Sequence, residues 1–396
     1  MTRPYLDADE IAAEVRHPIR PGQGGTQVRS IRRTDLLRWL LPALALVLVA
    51  SACASVSEPQ GWASPKLADG VLYVSIERGK MAALSPQDFS VKWVFPPDTE
   101  EGKKYELEGI YGAPVVQGGD VYFGGYNGSV YAVSAADGQL LWEFKTDGPI
   151  IGGLALADGS LFVASDDGKL YGLDPAKGSL KLGPLAVGDS VWTAPLIAGS
   201  TLYLAANDGK LFALDVSTLR PVWDAPFEAD AGLITDPVLA AEDTILVGGI
   251  DQRLYAVDAK TGQQKWSFKA DNWFWARPLV DKNTVYATNL DHNVYALDLA
   301  TGKPAWPQPF STAATVRSSP LLAGDVLIVV DHDGNVYGVD PATGASKWAG
   351  PTLIGKTVTA DPLLLDKEVL VLVEGGDIYR IDPSGGGSPG LVQVKP

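Results

Sequence analysis

Residues 296–306 read Ala-Leu-Asp-Leu-Ala-Thr-Gly-Lys-Pro-Ala-Trp, and the chain keeps returning to this pattern, A-x-D-x-x-T-G-x-x-x-W. Residues 256–266 match at every fixed position, and 338–348 change only the first. More divergent copies run 83–93, 132–142 and 213–223, while in 172–182 the closing Trp has become Leu182. An eighth copy starts at Arg380 and never reaches a Trp. Just before the copies stand Met81 (one residue further back), Tyr131, Tyr171, Phe212, Tyr255, Tyr295, Tyr337 and Tyr379, at intervals of 50, 40, 41, 43, 40, 42 and 42 residues. A fixed period near 42 is the mark of a repeat architecture, in which each unit buries its apolar face only by stacking on the next.

The chemistry of one period defines the unit. Tyr-Ala-Leu alternates at period two and ends a strand. Asp then bonds its own backbone and Gly takes a left-handed position, which makes a tight reversal. The following strand carries a Trp suited to wedging between neighbouring sheets. Upstream lies a second hairpin, marked by Asn127-Gly128, Asp167-Gly168, Asp208-Gly209 and Asp333-Gly334. Before it comes a short strand ending in Pro, as at Thr193-Ala-Pro195. Four strands per period make one propeller blade. The sequence therefore predicts an all-β, eight-bladed β-propeller of four-stranded antiparallel blades over residues 62–396. Trp93, Trp142, Trp223, Trp266, Trp306 and Trp348 are its expected inter-blade docking residues.

These repeats resemble the tryptophan-docking motif of the PQQ-type (quinoprotein) β-propellers. That family contains both PQQ-dependent alcohol dehydrogenases and BamB-type outer-membrane assembly lipoproteins, so the resemblance speaks to fold and leaves function open. It implies one of three roles: a non-catalytic interaction scaffold, a small-ligand or quinone-binding protein, or a PQQ-dependent dehydrogenase. The dehydrogenases are longer chains. They place two adjacent cysteines over the cofactor, hold Ca²⁺ with carboxylate and amide groups, and use an Asp as base. With a single Cys and no long insertion between blades, this chain lacks those parts, so the expectation is no enzyme and no cofactor.

The N-terminus reads as an export segment. Residues 1–38 are polar, and Arg29, Arg32, Arg33 and Arg38 precede an apolar run, 39–52, that ends at Cys53. A basic flank, a short apolar core and small residues form a signal-peptide profile. Ala50-Ser51-Ala52-Cys53 resembles a bacterial lipobox, with Ala where Leu is commoner, which makes Cys53 the expected lipidation site. The alternative is an uncleaved anchor, because extending the run to Val56 reaches the lower edge of a spanning helix. Either reading leaves 54–61 as a tether, ties the chain to a membrane by lipid or helix, and sets the propeller outside the cytoplasm.

Charge narrows the partners. Residues 1–53 hold seven Arg against five acidic residues, so within a total of −15 the remainder carries −17. A nucleic-acid partner would need a basic face, and the acidity fits an exported, soluble, monomeric propeller. The insertion at 96–108 mixes charges without an apolar face and reads as a solvated loop.

Few residues are candidates for catalysis. Asp331-His332-Asp333 and Asp291-His292-Asn293 invite a metal reading, but Asp, Asn and Gly at a hairpin tip are turn residues. Asp174, Asp215, Asp258, Asp298, Asp340 and Asp382 recur in six of the eight units, as a turn requires and a single active site does not. There is no zinc-ligand spacing. The remaining candidate is the rim of the central channel. When the inner strands are aligned on Pro65, Pro114, Leu154, Pro195, Pro237, Pro278, Pro320 and Pro362, three residues earlier stand Trp62, Tyr111, Ile151, Trp192, Ile234, Trp275, Arg317 and Thr359. Trp273, Phe274 and Arg277 lie beside Trp275. The expected interaction surface is Trp62, Tyr111, Trp192, Trp273, Phe274, Trp275, Arg277 and Arg317, facing a protein partner in the cell envelope. Because alternate residues of a strand face opposite ways, at least one of Trp273, Phe274 and Trp275 is expected to be exposed. One position closer to the Pro, Ala63, Gly112, Gly152, Thr193, Thr235, Ala276, Ser318 and Ala360 read as axial packing.

Overall fold

A computed structural model describes residues 61–100 and 102–394. Cys53, the apolar run and the rest of the expected export segment lie outside the described residues. Within them the chain forms eight four-stranded antiparallel sheets arranged in a ring, the expected eight-bladed propeller. Each blade takes its strands in sequence order: blade 1 spans 66–95, blade 2 115–145, blade 3 154–186, blade 4 196–228, blade 5 238–269, blade 6 279–311, blade 7 321–353 and blade 8 363–392. Among the described residues the helical pieces are two single 3₁₀ turns, Glu77–Gly79 and Gly102–Lys104. No helix among them is long and apolar enough to cross a membrane.

The hydrophobic pattern sets the layering. The second and third strands of a blade are sandwiched between two neighbouring blades, so they are apolar on both faces. Val326–Val330 in blade 7 is buried throughout, and Ser160–Ala164 in blade 3 likewise. The core is a series of inter-blade clusters: Leu246 and Leu254 of blade 5, for example, pack with Val285 and Leu297 of blade 6. Outer strands face solvent on one side, as the alternating exposure of Leu140–Lys145 shows. In blades 4, 6 and 7 the outer strand shrinks to two residues, Phe227–Glu228, Phe310–Ser311 and Thr352–Leu353. Each follows a Pro (Pro226, Pro309, Pro351), which has no N–H for a ladder and blunts the edge against stray pairing.

The repeated motif accounts for the turns and for the joints between blades. In the turn after the third strand the motif Asp accepts from backbone N–H groups ahead of it; Asp258 takes those of Lys260 and Thr261 at 3.0 and 2.9 Å. Trp93, Trp142, Trp223, Trp266, Trp306 and Trp348 each reach into the next blade. Their Nε1–H groups donate to the carbonyls of Ala135, Pro175, Ala259, Leu299, Pro341 and Pro383 at 2.7 to 3.2 Å. Each indole lies on the Gly of that blade's turn. A Cβ on Gly302 (φ 68°) would stand 2.6 Å from the Trp266 ring, and one on Gly344 (φ 76°) 2.7 Å from Trp306. The glycine thus serves twice, adopting the left-handed turn and leaving room for the ring.

Blade 8 is built from one continuous stretch, so among the described residues the ring closes by packing rather than by a shared blade. Leu72, Val74 and Phe89 of blade 1 join Leu370, Leu372 and Ile378 of blade 8. The insertion after blade 1 departs from the solvated loop expected. Leu107 is buried and Tyr105 packs on the same cluster, with its ring centroid 5.5 Å from Phe95 and 6.2 Å from Tyr131. The two apolar residues come from a charged stretch that carries no periodic signal.

Candidate functional site

The connections from each outer strand to the next inner strand converge on one end of the channel. There they line a cup of about 360 Å³ open to solvent. All eight residues three positions before the alignment point face it: Trp62, Tyr111, Ile151, Trp192, Ile234, Trp275, Arg317 and Thr359. The residues one position later pack between the connections, as at Ala63, Thr193, Thr235 and Ser318, which are almost wholly buried. Their hydroxyls are tied to the end of the same blade's second strand. Thr193 Oγ1 donates to the Ala205 carbonyl at 2.7 Å and Ser318 Oγ to that of Val330 at 2.9 Å, while Thr235 Oγ1 accepts from Gly248 N–H at 2.7 Å.

A second tier, missed in the sequence, comes from the residue directly before each alignment point. It consists of Ser64, Ala113, Gly153, Ala194, Asp236, Arg277, Ser319 and Asp361, all lining the cup. Its polar members link neighbouring blades. Asp236 accepts from Ala194 N–H at 2.7 Å, Asp361 from Ser319 N–H at 2.6 Å, and Ser64 Oγ from Asp361 N–H at 3.1 Å. Arg277 lies 3.8 Å from Asp361. Burial pushes the Asp236 carboxyl up, against the opposing pull of the Ala194 N–H and the Arg277 charge. The signal was available in the sequence: two Asp and one Arg at a register that is otherwise small.

The two tiers divide the cup. Blades 1 to 4 contribute Trp62, Tyr111, Ile151 and Trp192 above Ser, Ala, Gly and Ala. Blades 5 to 8 contribute Ile234, Trp275, Arg317 and Thr359 above Asp236, Arg277, Ser319 and Asp361, so the charged groups all lie on this side. On the apolar side Trp62 and Tyr111 meet edge to face at 4.3 Å, and Tyr111 packs 5.4 Å from Tyr126. Burial, then Tyr126, raises the Tyr111 phenol. Trp192 Nε1–H donates to Asp166 at 2.7 Å. These contacts hold the rings in place, while Trp62, Tyr111, Trp192 and Trp275 remain half-buried.

Two expected members of the surface are not on it. Trp273 and Phe274 are buried, and Phe274 sits in the cluster between blades 5 and 6, 6.3 Å from Tyr295. The alternation rule fails because residues 273–276 form no strand; the inner strand starts only at Leu279. Trp273 N–H bonds Asn272 Oδ1 at 2.9 Å and its carbonyl accepts from Leu290 N–H at 3.1 Å, which turns the ring inward. Of the three, Trp275 alone lines the cup, with Arg277 exposed beside it. Arg317 reaches the cup from an almost fully buried position, only 9% exposed.

The donor set does not fit a PQQ–Ca²⁺ pair. Among the described residues no three His, Cys, Asp or Glu converge as metal ligands, and the one Cys of the chain has no partner for a disulfide. Asp236 and Asp361 are each occupied by a backbone N–H. The hairpin histidines are turn residues: His292 takes φ 69°, and Asp291 caps the Asn293 N–H at 3.0 Å and the Tyr295 hydroxyl at 2.6 Å.

A family model described as outer membrane protein assembly factor BamB matches residues 126–240 and 220–393, about two thirds of the chain. The outer membrane protein assembly factor BamB of Yersinia pestis is 31% identical over 127 residues, 29% of this chain and 31% of that protein. The chain thus aligns with about a third of the length of such relatives. The crystal structure of BamB from Moraxella catarrhalis superposes with a TM-score of 0.61 at 19% identity, over 71% of this chain and 86% of that one. The quinohemoprotein alcohol dehydrogenase of Comamonas testosteroni superposes with a TM-score of 0.63 at 14% identity, over 84% and 74%. The two superpositions establish the fold and do not separate scaffold from enzyme. With the repeats in register and the family model spanning blades 2 to 8, the chain belongs to the PQQ-like β-propeller family described as outer membrane protein assembly factor BamB.

Proposed function

We propose that this chain is a non-catalytic scaffold of the cell envelope, held at a membrane through Cys53 or the apolar run before it, and that it docks a protein partner on the channel mouth. The observation that carries the reading is the cup itself. It presents half-buried Trp and Tyr rings opposite two Arg, the residue types that dominate binding hot spots, while its carboxylates are engaged in holding the blades together. The family match supports a role in envelope assembly, and the donor set argues against oxidation through PQQ.

The test is crosslinking and pull-down from membranes, comparing wild type with a Trp275→Ala/Arg277→Ala variant whose folding is checked by circular dichroism. Loss of a partner from a folded variant is the expected result, and unchanged recovery would discard the mouth as the docking surface. Dye-linked oxidation of alcohols after adding PQQ and Ca²⁺ would instead place the chain with the dehydrogenases. Mass spectrometry of the mature N-terminus reads the anchor, since a lipidated Cys53 and a retained Met1 are mutually exclusive.

A further inference from the structure

Six of the eight blade interfaces carry an indole anchor, and two do not. Between blades 3 and 4 the anchoring residue is Leu182, and the position that elsewhere is the receiving glycine is Leu219. Between blades 8 and 1 the last strand, Gly386–Val392, offers no Trp, and the receiving position is Phe89. Leu219 and Phe89 have φ values of 57° and 58°, the left-handed conformation that the glycines adopt at the other six interfaces. Both are buried.

The two changes are physically linked. An indole requires glycine opposite it, because a Cβ would meet the ring. Where the indole is missing, a hole opens, and a large apolar side chain fills it despite the strain of a left-handed backbone. Leu219 accordingly packs with Leu182 and Val216. Phe89 packs with Leu370 and Leu372 beneath the Arg380 guanidinium, 5.8 Å from the ring centroid. Neither interface regains the N–H to carbonyl bond.

Other ties separate the two. The chain runs directly from blade 3 into blade 4, and Trp192 bonds Asp166 across that interface. Blades 8 and 1 have no such continuity. Ser64 and Asp361 bond across the axial end, and beside them Ile76 and Leu372 pack around a water-sized gap next to the left-handed pair Gly375 and Gly376. We propose that these two interfaces are the yielding seams of the ring: it opens first between blades 8 and 1, and blades 1–3 then separate from blades 4–8 at the second seam. The opening seam runs into the mouth, with Trp62 on one lip and Thr359 on the other.

Hydrogen exchange followed by mass spectrometry on the intact chain tests this. Amides of Val71–Ile76 and Glu368–Leu372 should exchange before those of Arg253–Asp258 and Thr284–Thr288, with Ser160–Ala164 and Thr201–Ala205 between them. Uniform protection around the ring would overturn the proposal whether or not any variant folds. In a second arm, Leu182→Trp alone should lower the thermal midpoint, because the indole meets Leu219, and Leu182→Trp with Leu219→Gly should raise it above wild type. A single variant as stable as the double would show that the two positions are uncoupled, and would sink the seam between blades 3 and 4. Phe89→Gly should speed exchange at the 8/1 interface and leave the 5/6 interface unchanged; equal acceleration at both would refute a separable seam.

Discussion

Replacing Trp266 by Ala removes one anchor from the middle of the ring, at the interface of blades 5 and 6. The indole is 7% exposed, donates to the Leu299 carbonyl at 2.7 Å and lies on Gly302. A buried Trp covers about 200 Å², which at about 25 cal/mol/Å² corresponds to about 5 kcal/mol. That figure is an upper one, because the unfolded chain already hides part of the surface. The hydrogen bond adds about 1 kcal/mol, and its loss leaves the Leu299 carbonyl unpaired in a buried turn. The Ala side chain and partial collapse of the site recover some of this, so the expected loss is about 3–5 kcal/mol, the range for truncating a core aromatic. Urea unfolding followed by circular dichroism measures it, with Trp266→Phe as the control that keeps most of the packing and removes only the donor. Phe should cost about 1–2 kcal/mol. A loss under about 1 kcal/mol for Ala would refute the anchoring role. A Phe variant as damaged as Ala would assign the energy to the hydrogen bond and not to packing.

Gly344→Ala should cost more than a Gly→Ala change in an open turn, because φ is 76° and the new Cβ would stand 2.7 Å from the Trp306 ring; a thermal midpoint equal to wild type would contradict the close approach. Stability should fall at both ends of the pH range. Hydroxyl donors hold the turn carboxyls below their usual range, Ser217 and Thr218 at Asp215 and Thr301 at Asp298. Their contribution is therefore complete above the ordinary carboxylate value near pH 4 and is lost as pH falls through the lower folded value. In the other direction, burial, with neighbouring carboxylates adding to it, pushes the Tyr122, Tyr171 and Tyr337 phenols up to about 12. Their contribution is complete below about pH 10 and lost toward pH 12. Thermal midpoints across pH 2–12 read both limbs, and an acid limb untouched by Asp298→Asn would remove the turn carboxylates from the account.

What the sequence disclosed depended on how local the physics was. Asp298, Thr301, Gly302 and Trp306 specify a reversal and a ring at fixed spacing, so blade number and inter-blade contacts could be read from the period alone. The rim residues three before each Pro were legible for the same reason, since a ring of equivalent positions must face a common axis. Trp273 and Phe274 were not, because their burial depends on a short irregular connection in which strand alternation has no force. Asp236 and Asp361 stood in plain register, yet an acid beside a Pro carries no meaning until the N–H of the preceding blade is seen to point at it. Leu219 and Phe89 show the deeper limit. Each reads as an ordinary apolar residue until two facts are joined: its backbone is left-handed, and the indole that would otherwise fill its place is missing from the neighbouring blade. The missing Trp at Leu182 was visible in the sequence, but the compensation for it lies some 37 residues on, across an interface. A repeat protein thus displays its rule at every copy and hides its exceptions in pairs. Those paired exceptions are where this ring differs from a uniform stack and where its opening is expected to begin.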